Sequence, residues 1–445
     1  MERVAPSQIN YDNQLPIAIS SKSQRREFFP EGGSIYGPNG GGKPNIVRIP
    51  INADSMLDCQ NSYLKFELVT KTNTCGLDLP QSFIKRLRIL SGGTVLEDID
   101  QYGRLYAGVL LPSQGNLSTL KNSQITGGQY NSADAGDANH MSMVYPASST
   151  VALGSTITMS IQLASGLLNL DKYVPLVLMN AGFTIELEFD VAGSIGISHT
   201  AQQPWVLQNF RYVAHLIDLE RDFYDRLRMV MEGSGGVLQL AGQTFRHYSG
   251  QFATGLTNAS INIPARVKSI KSILFRNTVE ADISGGTAET NYGISTSPTR
   301  GITEFQFRVG AVSYPPNSVK CGTGTNGATI SAVNRGESYL ELEKAFGHLS
   351  NHKEGSWYLD GRTYCRSTNA KVAGASVACY SIYGLDFESF NRSAIENGVN
   401  TADRSLPITL ELTSTVVALD TTVDVWCLCD AIFYVNLDGT CSVSI

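Results

Sequence analysis

Ser405-Leu-Pro-Ile-Thr-Leu-Glu-Leu-Thr-Ser-Thr-Val-Val-Ala-Leu-Asp-Thr-Thr-Val-Asp-Val-Trp-Cys-Leu-Cys-Asp-Ala-Ile-Phe-Tyr-Val-Asn-Leu437 decides the reading of this chain, because the chain contains the pattern twice. Ile408 to Leu412 alternates apolar and polar residues, as a half-buried strand does. After a polar turn region, Val423 to Val435 is apolar on both faces, which predicts a strand in the middle of a packed sheet. The earlier copy opens at Ile185-Glu-Leu-Glu-Phe189, crosses a Gly/Ser/Pro loop and ends in Phe210 to Leu219. An all-β unit duplicated in tandem is the simplest account.

Composition agrees. The 445 residues suffice for two or three domains with sizeable cores. There are 42 glycines and only 17% charged residues, which suits strands joined by many turns. A formal net charge of −6 argues against nucleic-acid binding driven by bulk charge. No apolar run reaches the length of a membrane-spanning helix. Met1 to Asn10 lacks an apolar signal core, so synthesis in cytoplasm or nucleus is the default expectation. On that ground the Asn-x-Ser matches at Asn116, Asn258 and Asn391 read as chance.

Taken in order, residues 1–44 read as a flexible N-terminal arm, polar and punctuated by Gly and Pro, with a basic cluster at Lys22, Arg25 and Arg26. Gly37 to Lys43 has the spacing of a phosphate loop, but Pro44 replaces the hydroxyl residue and a strand-like segment follows where a helix is needed. Residues 45–232 carry strands at Ile46–Ile51, Ser62–Thr70 and Phe83–Leu90. A helix is expected over Leu96–Leu110, a polar excursion over 111–150, and further strands lead up to the first copy of the duplicated pair. Asp218–Met231, dense in both charge signs, reads as a linking helix that puts the boundary near residue 233.

Residues 233–445 repeat the plan. Val267–Phe275 echoes Phe83–Leu90, Phe305–Pro316 reads as one strand stopped by its proline pair, and Glu337–Leu349 reads as a helix. Eight strands per half in two packed sheets describe a jelly roll. The expected fold is therefore an all-β tandem double jelly roll, two eight-stranded antiparallel β-sandwiches with short helices and long loops.

Within the second half, Phe307-Arg308-Val309-Gly310, then Tyr314-Pro315-Pro316, precede a segment carrying Glu337, Tyr339, Glu341, Lys344, Ala345 and Gly347. This run resembles the double jelly-roll major capsid proteins of the polinton-like virus, adintovirus and virophage-related group. The resemblance covers most of residues 45–440 in architecture and is specific in motif only over 305–349. It implies a structural protein of the virion, made in host cytoplasm or nucleus. Such a protein would trimerise into hexon-like, pseudo-hexagonal capsomers and tile an icosahedral shell around a double-stranded DNA genome. Its partners would be copies of itself, penton and minor capsid proteins, and an internal membrane or the genome through the arm. Long loops at 111–150, 277–303 and 360–380 are expected as outer towers and intersubunit contacts.

Chemistry-bearing patterns are sparse. His348 and His352 are four apart without the Glu of a metalloprotease, and the six histidines read as surface or capping residues. The eight cysteines form no CxxC pair. Cys427 and Cys429 share a strand face and read as small core residues. Glu186 and Glu188 read as polar-face acids of a strand. Trp426 is expected in the core, with Trp205 and Trp357 serving loops or interfaces. No enzyme, cofactor or metal is expected. The alternative is a carbohydrate-binding or hydrolytic β-sandwich, which needs a cleft of exposed aromatics and acids.

Overall fold

The computed structural model describes residues 20–70, 75–76, 80–114, 150–151, 156–191, 205–278, 297, 299, 301–321, 335–347, 359, 364, 371–372, 375–376, 380–390, 395–403, 407–415 and 420–445. The first half holds eight principal strands: β1 (Ser21–Phe28), β2 (Ile46–Ile51), β3 (Met56–Thr70), β4 (Ile84–Ser91), β5 (Thr94–Asp100), β6 (Thr156–Ile161), β7 (Phe183–Phe189) and β8 (Trp205–Leu219). A helical rod, α1 (102–114), follows β5, and its middle turn Tyr106–Leu110 is π-helical. After α2 (Arg221–Gly233) come β9 (Val237–Phe252), β10 (Asn258–Ile263), β11 (Ile270–Thr278), β12 (Ile302–Val309) and β13 (Val312–Lys320). They are followed by α3 (Gly336–Ala345), β14 (Ile382–Asp386), β15 (Ile408–Ser414), β16 (Thr421–Asn436) and a short β17 (Cys441–Ser444).

The two halves have one topology. In the first, one sheet runs β1-β8-β3 with β6 on the far side of β3, and the facing sheet runs β2-β7-β4-β5. In the second, β9-β16-β11-β14 faces β10-β15-β12-β13, and β17 adds to β16. Each strand of the first half thus has its counterpart eight places on, and both halves carry a helix between the fifth and sixth strands. Eight antiparallel strands in this order are a jelly roll, and the chain is a tandem pair of them. The duplicated stretch is the seventh and eighth strand of each. These two strands lie in opposite sheets, so the connection between them crosses the sandwich.

Alternation builds the cores. Leu64, Phe66 and Leu68 of β3 point inward, as do Val47, Ile49 and Ile51 of β2. In the first sandwich Phe66 stacks on Phe210 at 5.0 Å between ring centroids, and Trp205 meets Phe83 edge-on at 5.1 Å. In the second, Phe275 stacks on Tyr383 and meets Phe305 edge-on. β11 is buried along its whole length, because β16 and β14 flank it and α3 packs on β14 and β11.

Several expectations change. Residues 94–100 form a strand, and the helix begins only at Tyr102. Gly92 and Gly93, both at positive φ, make a two-residue hairpin that folds β5 back on β4. Phe305–Pro316 is two strands around a turn at Gly310–Ala311. Pro315 and Pro316 do not stop β13, since β13 is the sheet edge and the prolines lie where its pairing with β12 shifts register. Gln306 Nε2 donates to both proline carbonyls there. The likeness of Val267–Phe275 to Phe83–Leu90 is coincidental, for β11 is the counterpart of β3 and not of β4. Trp205 is a core residue of the first sandwich. Ser21–Phe28, placed in the flexible arm by its polarity, is a strand paired residue for residue with the end of β8. The loops expected as towers fall mostly outside the described residues.

Candidate assembly surfaces

The motif residues of the second half gather where α3 docks. Phe307 and Val309 are buried in the core. Gly310, at φ 58°, turns the chain toward β13 and donates its N–H to Pro407 O. Tyr314 packs against Phe387 at 5.6 Å. On α3, Tyr339 meets Tyr364 edge-on, Ala345 lies against β14 beside Gly384, and Gly347 ends the helix at φ 67° with its N–H on Lys344 O. Glu337 accepts from the Lys320 N–H at 3.0 Å, and Lys344 donates to Glu341 at 2.5 Å. Arg308 stays at the surface, 3.2 Å from Glu411. Of these, Glu337 ties α3 to the end of β13, and Ala345 packs it on β14.

Sequence reasoning missed the junction between the two jelly rolls. There β5, α1 and residues 165–171 of the first meet β9, β16 and β17 of the second. Glu97 of β5 is 0% exposed. It accepts from Ser165 Oγ, from the Gly166 N–H at 2.7 Å and the Leu167 N–H at 3.4 Å, and across the junction from Thr244 Oγ1 at 2.7 Å. Burial pushes its pKa up, and these four donors oppose the shift without cancelling it. Gly166 permits the approach, since a Cβ there would lie 2.3 Å from the Gln243 carbonyl oxygen.

A second cluster lies alongside. Asp424, 1% exposed, accepts from Thr278 Oγ1 at 2.6 Å, from His247 Nε2 at 3.0 Å and from Arg104 Nη1 at 3.2 Å. His247 Nδ1 lies 3.6 Å from Asp100. Burial disfavours charge on the His247 ring, but the hydrogen bonds and charges of Asp100 and Asp424 outweigh it and raise its pKa. Burial alone would raise both carboxyls. The Arg104 charge and His247 hold Asp424 well below the carboxylate range, and His247 lowers Asp100. His247 is therefore not the surface or capping residue its sequence context suggests. An acid inside a two-sided apolar run, Val423-Asp424-Val425, was the available signal.

Beside the junction a cavity of about 720 Å³ opens between the sandwiches, lined among others by Leu110, Asp171, Phe245, Lys271 and Asp430. Lys271 is 2.8 Å from Glu388 and 3.4 Å from Asp430. Phe245 is its one aromatic lining residue, and both Trp205 and Trp426 are buried away from it. Glu186 is neutralised by Arg48 and Arg88, and Glu188 lies 3.9 Å from Lys85. Cys427 and Cys429 are buried thiols, Cys429 with its pKa pushed up to about 12 by burial. No metal-competent cluster occurs among the described residues. Gly37 donates its N–H to Pro44 O and strand β2 follows, which closes off the phosphate-loop reading. His140, His199, His348, His352 and Trp357 lie outside the described residues.

Lys22, Arg25 and Arg26 sit on β1, exposed, at the open edge of their sheet. Arg25 pairs with Glu27 at 3.0 Å, and Arg26 lies over the Phe28 ring.

No protein-family model matches the sequence, and no curated protein does. Solved structures do match in fold. VP54 of PBCV-1, fitted into a cryo-EM reconstruction of the virophage Sputnik, is 10% identical. That match covers 98% of this chain and 99% of that one at a TM-score of 0.62. The Faustovirus major capsid protein matches at 8% identity, 95% and 92% coverage and a TM-score of 0.58. The mavirus major capsid protein matches at 9% identity, 100% and 95% coverage and a TM-score of 0.53. The likeness extends over both jelly rolls.

Proposed function

We propose that this chain is a major capsid protein, a structural component of a virion that assembles with copies of itself. The observation that carries the reading is the complete tandem jelly roll, matched end to end by capsid proteins of icosahedral viruses and virophages. A chain with two like domains in a trimer presents six like units, and six units in a ring tile a surface as hexagons. In the finer reading, the two jelly rolls, residues 21–232 and 233–445, are the two units and the trimer is a pseudo-hexagonal capsomer of an icosahedral shell around double-stranded DNA. Penton and minor capsid proteins are further partners, and the segment ahead of Ser21 faces the genome or an internal membrane. The 305–349 motif serves this role by holding α3 against the second sandwich.

The deciding measurement is the native mass by light scattering, with negative-stain imaging of the same peak. A particle of about three times 48.2 kDa with a pseudo-hexagonal outline is the expected result. A compact monomer at high concentration overturns the proposal.

A further inference from the structure

The junction inside the chain is heterologous. The β5–α1 side of the first jelly roll meets the β9 side of the second. Because the halves share one topology, each leaves one counterpart surface unpartnered: β13 with α3 on the second, β1 on the first. A contact of this type repeats head to tail and closes into a ring when its rotation allows.

Register defines the counterparts residue by residue. The hairpins align at their turns, Ser91–Thr94 with Val309–Val312, so Phe307 holds the place of Ile89, and Tyr314, paired with Phe307, holds the place of Glu97, paired with Ile89.

The chemistry at these places differs from that inside the chain. Residues 102–113 of α1 are almost wholly buried, packed chiefly on β4 and residues 80–83 of their own jelly roll, with Arg104 reaching across to Asp424, whereas α3 carries Glu337, Glu341 and Glu343 against one lysine. Leu340 on its outer face is 45% exposed, and Val312 is 55% exposed. β1 carries Lys22, Arg25 and Arg26 against Glu27, with Phe29 60% exposed just beyond it. An acidic rim around apolar residues thus faces a basic rim around an apolar residue.

Resting on the capsid reading, we infer that β1 of one copy receives β13 and α3 of a second, through a contact held by exposed opposite charges and therefore salt-sensitive, unlike the buried junction within the chain. Exposed charges weaken within the screening length of moderate salt, and buried ones do so much less.

The test uses the full chain with a photo-crosslinking residue at position 340 and mass-spectrometric mapping. Crosslinks are expected in residues 21–36 of another copy. The R25E/R26E variant is expected to weaken assembly about tenfold or more at low salt and to flatten its salt dependence, while its thermal unfolding stays that of the wild type. Adding E341K/E343K to that variant restores assembly. A trimer whose crosslinks map elsewhere, or that is indifferent to R25E/R26E, overturns this inference and leaves the capsid reading standing. Normal assembly of R25E/R26E with lost retention on DNA or anionic vesicles also overturns it, assigning the basic strand to those partners. A monomer under all conditions overturns both.

Discussion

At the scale of single residues, the junction rests on groups that have no substitute. Removing the Glu97 side chain leaves the Gly166 and Leu167 N–H groups and two hydroxyls without their acceptor at a buried position. Each buried unsatisfied donor costs roughly 1–3 kcal/mol. Glu97→Ala is therefore expected to destabilise the chain by about 3 kcal/mol and lower its melting temperature by several degrees. Calorimetry showing an unchanged melting temperature would mean the contact contributes nothing. Such residues were hard to read from sequence because their partners lie far away, Thr244 being 147 positions from Glu97. Nothing local distinguishes a buried acid from a solvated one.

Elements show the opposite balance. Strand alternation and the two-sided apolar run of β16 were legible, as was the helix at α3. Errors fell where local pattern is ambiguous. Ile99, Tyr102, Tyr106 and Val109 fit a helical spacing although Ile99 belongs to a strand, and only the Gly92-Gly93 hairpin separates the two readings. Polar residues made β1 look like an arm, since an edge strand exposed on both faces has no alternation to detect. Docking of α3 depends on a gap at Gly384, where a Cβ would lie 2.8 Å from Leu274 and 3.0 Å from both Ala345 and Leu342. Gly384→Val is expected to lift α3 and cost about 1–3 kcal/mol. Hydrogen exchange should show lost protection along α3 and β14; full protection there would refute the packing argument.

For the whole molecule, the junction should make stability depend on pH. His247 has a raised pKa, so its contribution is complete below the unfolded value of about 6.5 and fades as pH rises through its folded value. Glu97, also raised, adds to the loss on the alkaline side. Asp424 and Asp100 are lowered, so theirs is present above about 3.9 and fades as pH falls through their folded values. Melting temperature should peak in mild acid, and His247→Gln should flatten the alkaline limb. An unchanged pH profile in that variant would remove His247 from the account.

The sequence by itself determined that the chain is duplicated, that it is built of strands, and which strand pair marks each copy. These follow from periodicities of two residues and from a repeated pattern, both of which survive without knowledge of neighbours. Only the tertiary structure decided which strands lie side by side, that residues 21–28 complete a sheet, and that Glu97, Asp424 and His247 meet between two jelly rolls. Strand pairing is a contest among many edges of similar local chemistry, settled by burial summed over the whole molecule. The meaning of a charge depends on whether another part of the chain takes its water away.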